Sequence, residues 1–299
     1  METSRDAAAM AWAPGDFTAK FDREPFGFTH NLSRLDLFAF DKLVALAEKY
    51  ALFDQEYFVA GSAPTPGTEF YAVPTLYQSP HDALQHLDTA AYRVLLKRPE
   101  NFDPGFADLL RHLFAQVAAA SPALAGEPIV RLESAIFISS AVATTPFHFD
   151  PEVNFFCQIE GDKTYHVYPP AVVSEDELER FYKRGIVNIG QVDLSKRPAS
   201  EEHVFQLRAG FGLHQPQNAP HWVETGKSRS ISYSFVFETA ASRARGRARS
   251  CNHYLRKFGF NPAPPGVNST MDAIKSGTMQ IVIPARQTVA RSVRSMLGR

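Results

Sequence analysis

At Pro128 the chain changes texture. Segments with helical spacing of apolar residues precede it, and a succession of short apolar, β-branched runs broken by turns follows it. No other feature constrains the fold as much, because runs of this length bury as strands, whereas an amphipathic helix needs a 3.6-residue period sustained over about 10 residues or more. The strand-like runs are Ile129–Ser140, Thr145–Asp150, Asn154–Glu160, Lys163–Tyr168, Val204–Leu207, Gly212–Gln215 and Ser230–Glu238. Two of them flank Gly161-Asp162, which predicts a β-hairpin, and Pro169-Pro170 closes the second because proline cannot extend a ladder. Upstream, Leu35–Tyr50, His81–Leu96 and Asp103–Ala120 read as helices, with a loop over residues 61–80. Ser174-Glu175-Asp176-Glu177 is a capping-box pattern that opens a short helix to about Arg184. Helices followed by many short strands predict an α+β chain with a β-sandwich or small barrel at its centre.

A length of 299 residues with 44% apolar content suffices for one large domain or two small ones around a packed core. The net charge of −1 hides a split. Residues 240–299 carry eleven basic residues against one acidic, and the remainder carries twenty against thirty-one. Such asymmetry fits an arm for nucleic acid or a membrane surface, and equally a basic segment docking on an acidic body or subunit. Cys157 and Cys251 are too few for a disulfide framework and lack C-x-x-C spacing, so neither a staple nor a thiolate zinc site is expected. No apolar run reaches the ~20 residues of a membrane span, and the first residues lack the pattern of a secretory signal. The expectation is a soluble, cytoplasmic protein.

Chemistry concentrates in Thr145-Pro146-Phe147-His148-Phe149-Asp150. Side chains alternate along a strand, so His148 and Asp150 share one face while Phe147 and Phe149 back them from the other. An imidazole and a carboxylate so placed are two-thirds of a facial 2-His-1-carboxylate triad, which leaves open positions on Fe(II). H-x-D alone also fits an ordinary His and Asp at a strand end, so a third ligand is needed. Two candidates, His214 and His221, lie in the strand–turn segment Gly210–Trp222, and residue physics does not choose between them.

The stretch from Ile136 to Phe237 resembles the Jumonji-C, or cupin-like, Fe(II)/2-oxoglutarate oxygenases, particularly the group of the factor-inhibiting asparaginyl hydroxylase. In that group the first ligands stand in T-P-x-H-x-D-x-x-x-N-F-x-x-Q-I-x-G-x-K, followed by P-P. Thr145-Pro146, His148, Asp150, Asn154-Phe155, Gln158-Ile159, Gly161, Lys163 and Pro169-Pro170 match it without a gap. The distal motif places Gly six residues before Pro and the ligand His five after it. Gly210, Pro216 and His221 reproduce both intervals. The resemblance therefore implies a double-stranded β-helix (jelly-roll) core with N-terminal helices and a C-terminal helical extension. Its implied metal ligands are His148, Asp150 and His221, with His214 as a packed neighbour.

It further implies 2-oxoglutarate as co-substrate, with Lys163 and Thr145 on the distal carboxylate and Asn154 at another position of that pocket. Ser234 stands where the asparaginyl hydroxylase has Asn, and Phe211 replaces the usual Asp of the distal motif. The implied reaction consumes O₂ and releases succinate and CO₂ while a protein side chain or small molecule is hydroxylated. Rival expectations are a cupin-fold binding or regulatory module, and a cupin metalloenzyme that does not use 2-oxoglutarate. Cys157 reads as a core residue, Trp222 as packing or pocket lining, and His166 as facing away from Lys163. The expected organisation is an irregular stretch 1–20, a mostly helical region 21–125, a catalytic core 126–240 and a basic extension 241–299. The 35 residues between Tyr168 and Val204 are the expected substrate-contacting insertion. Related oxygenases carry C-terminal helices that pack on the core or form a dimer. The basic extension is accordingly expected to make a salt-sensitive intramolecular or homodimer contact, not to bind nucleic acid.

Overall fold

The computed structural model describes residues 8–73, 79–87, 92–185 and 189–296. Its α-helices are α1 (Asp16–Ala19), α2 (Phe40–Glu48), α3 (Pro80–Gln85), α4 (Pro104–Ala120), α5 (Glu175–Tyr182), α6 (Ala240–Lys257) and α7 (Ser269–Met296). The strands are β1 (Met10–Ala11), β2 (Phe26–His30), β3 (Tyr57–Gly61), β4 (Tyr92–Lys97), β5 (Ile129–Ser139), β6 (Thr144–His148), β7 (Val153–Glu160), β8 (Asp162–Val167), β9 (His203–Arg208), β10 (Phe211–Gln215), β11 (His221–Thr225) and β12 (Ser230–Thr239). They form an eight-stranded sheet in the order β1-β2-β10-β7-β12-β5-β4-β3 and a four-stranded sheet in the order β6-β11-β8-β9. This is the α+β architecture of a double-stranded β-helix, with helices on its N- and C-terminal sides. No helix among the described residues is long and apolar enough to cross a membrane.

Both faces of the large sheet are buried, which explains why its strands are near-continuous apolar runs. On the outer face Ile136, Ile138, Phe155, Cys157, Tyr233, Phe235 and Phe237 join the main core with Leu43 and Leu46 of α2 and Phe106, Leu110 and Leu113 of α4. On the inner face Phe156, Leu213 and Phe137 meet Tyr165, Val167, Leu207 and Val223 of the small sheet. Cys157 is thus a core residue, fully buried and free. The space between the sheets is where inward-pointing polar residues collect.

Three local expectations are corrected. His81–Leu96 is not one helix: α3 ends at Gln85 and Tyr92–Lys97 is strand β4, while residues 88–91 lie outside the described residues. The strand wins because Val94 and Leu96 alternate into the main core and the backbone pairs with β3 and β5. Gly161-Asp162 does not close a hairpin. Here β7 pairs with β10 and β12, and β8 with β11 and β9, so the chain crosses from one sheet to the other at this turn. Gly161 allows it, with φ of 69° and an absent Cβ that would lie 2.2 Å from the Arg229 carbonyl oxygen. Finally, helix α2 starts only at Phe40, because Leu32–Arg34 and Asp36–Phe38 are separate 3₁₀ turns.

Ser174 caps α5 as expected, accepting from the Glu177 amide while Glu177 accepts from the Ser174 amide. The basic extension folds as α6 and α7. Its arginines meet acidic residues of the body: Arg243 with Glu238, Arg249 with Glu175 and Arg256 with Glu179.

Candidate metal centre and the pocket beside it

His148 is the last residue of β6 and His221 the first of β11, and the two are direct cross-strand partners. Their ring centroids are 4.1 Å apart. Asp150 lies two residues past His148, where the Asn218 amide donates to its carbonyl at 2.9 Å and holds the turn before His221 against it. Asp150 Oδ1 is 4.0 Å from His148 Nε2, and its Oδ2 is 3.8 Å from His221 Nε2. The three side chains each offer a ligand atom within 4.8 Å of the others.

Both imidazoles are set in one tautomer. His148 Nδ1 lies 2.7 Å from the Pro146 carbonyl and His221 Nδ1 3.1 Å from that of Ala219. A carbonyl only accepts, so each Nδ1 carries the hydrogen and each Nε2 turns a lone pair toward Asp150. Burial pushes the histidine pKa values down, to about 4 for His148 and about 3 for His221, so both rings are neutral near pH 7. Behind the ligands, Tyr165 stacks on His221 at 5.3 Å and donates its hydroxyl to Gln215 Oε1 at 2.5 Å. Asp150 stands beside this pair, and burial holds its carboxyl above the usual range. Two neutral imidazoles and one carboxylate on one side of a site, with an oriented outer layer, are a donor set that fits Fe(II).

Lys163, inward on β8, is 5% exposed. Its Nζ sits 5.2 Å from the Phe156 ring centroid and 5.8 Å from that of Phe137, and among the described residues no carboxylate pairs with it. Burial, and secondarily the charge of Arg93, pull its pKa down to about 7. Thr145 Oγ1 accepts from Arg93 Nη1 at 2.9 Å. Asn154 shares the inner face with Phe156, since Phe155 between them faces the outer core, and its Oδ1 is buried without a partner. The structure therefore turns Lys163, Thr145 and Asn154 toward the same inter-sheet space as His148, Asp150 and His221.

His214 points the other way. It is buried in the outer core between Phe21, Phe26 and Phe155, and its Nε2 accepts from the Asp22 amide at 3.1 Å. Ser234 is buried and alternates with Tyr233 and Phe235, which face the outer core, so it lines the inner face. His166 stacks on Trp222 at 3.7 Å and meets Glu202, which places Trp222 outside the pocket. Sequence reasoning missed three residues: Tyr165, Gln215 and Arg93. Strand parity with Lys163 and with Leu213 would have found the first two. Arg93 was hidden by the helical reading of its segment.

A jelly roll that closes two histidines and an aspartate around an open face is a mononuclear-metal scaffold of the cupin type. The Cupin-like domain family matches residues 63–242, and the chain belongs to it. A search of curated protein sequences gave no match. Among solved structures, Escherichia coli YcfD superposes with a TM-score of 0.52 at 17% identity, over 93% of this chain and 69% of that one. YcfD, described as a ribosomal oxygenase, superposes in its complex with cobalt and 2-oxoglutarate with a TM-score of 0.53 at 16% identity, over 92% and 68%. At such identities the likeness is one of fold.

Proposed function

We propose that this protein is an Fe(II)- and 2-oxoglutarate-dependent oxygenase that hydroxylates a protein side chain or a small molecule, with His148, Asp150 and His221 as metal ligands. The observation that carries the reading is the pairing of that triad with a buried, unpaired Lys163 in the same inter-sheet space. A metal site alone would leave the lysine without a purpose. A buried ammonium costs free energy unless an anion meets it, and the distal carboxylate of a 2-oxo diacid is such an anion. The Jumonji-C motif from Thr145 to Lys163, and a fold shared with a protein crystallised with 2-oxoglutarate, support the same reading.

Iron, when bound, would supply O₂ activation coupled to oxidative decarboxylation of 2-oxoglutarate to succinate and CO₂. The chain's own residues bind and orient. His148 and His221 present neutral Nε2 atoms, Asp150 brings the single negative charge, and Tyr165, anchored on Gln215, backs the His221 ring. Phe137 and Phe156 dry the space around Lys163, which strengthens its attraction for a carboxylate. Residues 126–240 form the catalytic core in this reading.

The substrate-facing rim consists of residues 62–70 and, of the insertion between Tyr168 and Val204, the described residues 169–185 and 189–203. These are tied together by Gln191, which accepts from the Phe70 amide at 3.1 Å and donates to the Thr68 carbonyl at 3.0 Å. Phe70, whose ring is 4.8 Å from that of His148, stands on that rim beside the ligands. Substrate choice is assigned to this rim.

Calorimetric titration of Mn(II)-loaded protein with 2-oxoglutarate tests the reading. Wild type should bind with one site per chain, and Lys163→Ala should weaken binding by about 100-fold, the worth of a buried charge-assisted contact. Wild-type protein that binds metal but no 2-oxo acid would refute it.

A further inference from the structure

Arg93 is a cation of the inter-sheet space that neither the motif nor the triad uses. It sits on β4 opposite Ser139 of β5, and because Val94 alternates into the outer core, Arg93 is turned inward. Its Nη1 donates to Thr145 Oγ1, while Nε and Nη2 are buried and without a partner among the described residues. Arg131, Arg197 and Arg249 are also largely buried, and each closes an ion pair, with Glu152, Glu177 and Glu175. Arg93 closes none. An unpaired guanidinium in a dry site is costly, and a ligand anion is what would offset it.

Building on the oxygenase reading above, we propose that Arg93 is a second cationic anchor of the co-substrate pocket. It donates through Nε and Nη2 to the distal carboxylate beside Lys163 and Thr145. The hydroxyl chemistry agrees: Thr145 Oγ1 accepts from Arg93, so its own hydrogen is left to donate to the same anion. Burial lowers the pKa of both cations, and the closeness of Arg93 adds to the depression at Lys163. A carboxylate between them satisfies both, and its planar oxygens match the guanidinium fork. The pocket is thereby specialised for a 2-oxo acid with an anionic far end.

The test compares 2-oxoglutarate with 2-oxopentanoate, which has the same chain length and no distal carboxylate, by calorimetry on Mn(II)-loaded wild type, Arg93→Gln and Arg93→Lys. Gln keeps a donor for Thr145 but removes the charge. Arg93→Gln should therefore bind 2-oxoglutarate about 10- to 100-fold more weakly while binding 2-oxopentanoate within about twofold of wild type. Arg93→Lys should recover most of the preference for the diacid. Unchanged 2-oxoglutarate binding in Arg93→Gln, or an equal loss for both acids, overturns the proposal and leaves the oxygenase reading standing. Should Arg93→Gln not fold, an Arg93→Lys protein with no preference for the diacid overturns it. A wild type that binds neither acid removes the oxygenase reading as well.

Discussion

The contact between Arg256 of α6 and Glu179 of α5 offers the most quantitative test of how the basic extension is held. Nε lies 2.7 Å from Glu179 Oε2 and Nη2 3.2 Å from Oε1, a two-pronged pair. The glutamate side chain is 1% exposed and the arginine 33%. Deleting the arginine strands a carboxylate that has almost no access to water, which for a fully buried pair costs about 3–5 kcal/mol. Because the arginine end opens to solvent, water can enter the space left behind, and the cost falls to about 2–3 kcal/mol. Arg256 also donates to Asn261 Oδ1 and the Pro262 carbonyl, so the link to α7 loosens with it. Arg256→Ala should lower the melting temperature by about 3–5 °C. The double variant Glu179→Gln/Arg256→Met, which removes the stranded charge, should recover part of that loss. Thermal and urea unfolding of the full chain at low and high salt would measure both. A loss under about 0.5 kcal/mol, or a double variant no more stable than Arg256→Ala, would refute the claim that this pair clamps the extension to the body.

Two further outcomes follow from buried groups and backbone geometry. His214 and His30 are held neutral by burial, with pKa values lowered to about 3 and about 4. Below the ordinary value of 6.5 the unfolded chain takes up protons that the folded chain does not, so their stabilising contribution is complete above pH 6.5 and is lost as pH falls toward 4. The slope is about 1.4 kcal/mol per pH unit for each histidine. His214→Gln, which keeps an acceptor for the Asp22 amide, should flatten denaturant-measured stability between pH 6 and pH 4 by about one proton's slope; an unchanged slope contradicts the buried-neutral assignment. Gly161→Ala should cost at least about 2 kcal/mol, since φ of 69° strains an L-residue and the new Cβ collides with the Arg229 carbonyl. A neutral substitution there would mean the crossing between sheets is not fixed by this turn.

His148 and Asp150 were legible in the sequence because strand alternation is a local rule, and the phenylalanines that back them obey it: Phe149 is buried among Val173, Leu178 and Tyr182. The third member of the triad was not legible in that way. His214 and His221 lie seven residues apart on consecutive strands, and only the sheet assignment separates them, β10 in the large sheet and β11 in the small one. The spacing of the distal motif pointed to His221, and the register with His148 now gives the physical reason. Gly161-Asp162 looked like a hairpin because its flanks are strands. Which edges those strands pair with is decided by residues far away in the chain, which no local pattern records. Arg93 escaped for the opposite reason: Ala-, Leu- and charge-rich sequence before it has helical spacing, and tertiary pairing of β4 with β5 overrode that preference. The charge split was visible from composition alone. Its resolution into bidentate pairs between α6 and α5 needed the fold.

The central claim is that these residues build an oxygenase pocket, and the most direct measurement is succinate formed from 2-oxoglutarate by protein reconstituted with Fe(II) in air and reductant. Wild type should form succinate even without added substrate, at a slow uncoupled rate. Asp150→Ala, which removes the only carboxylate of the triad while leaving Lys163 in place, should reduce it by at least about 100-fold. Wild-type protein that binds Fe(II) and 2-oxoglutarate yet forms no succinate, across candidate protein and small-molecule substrates, would contradict the account. Equal succinate from Asp150→Ala would contradict it as well.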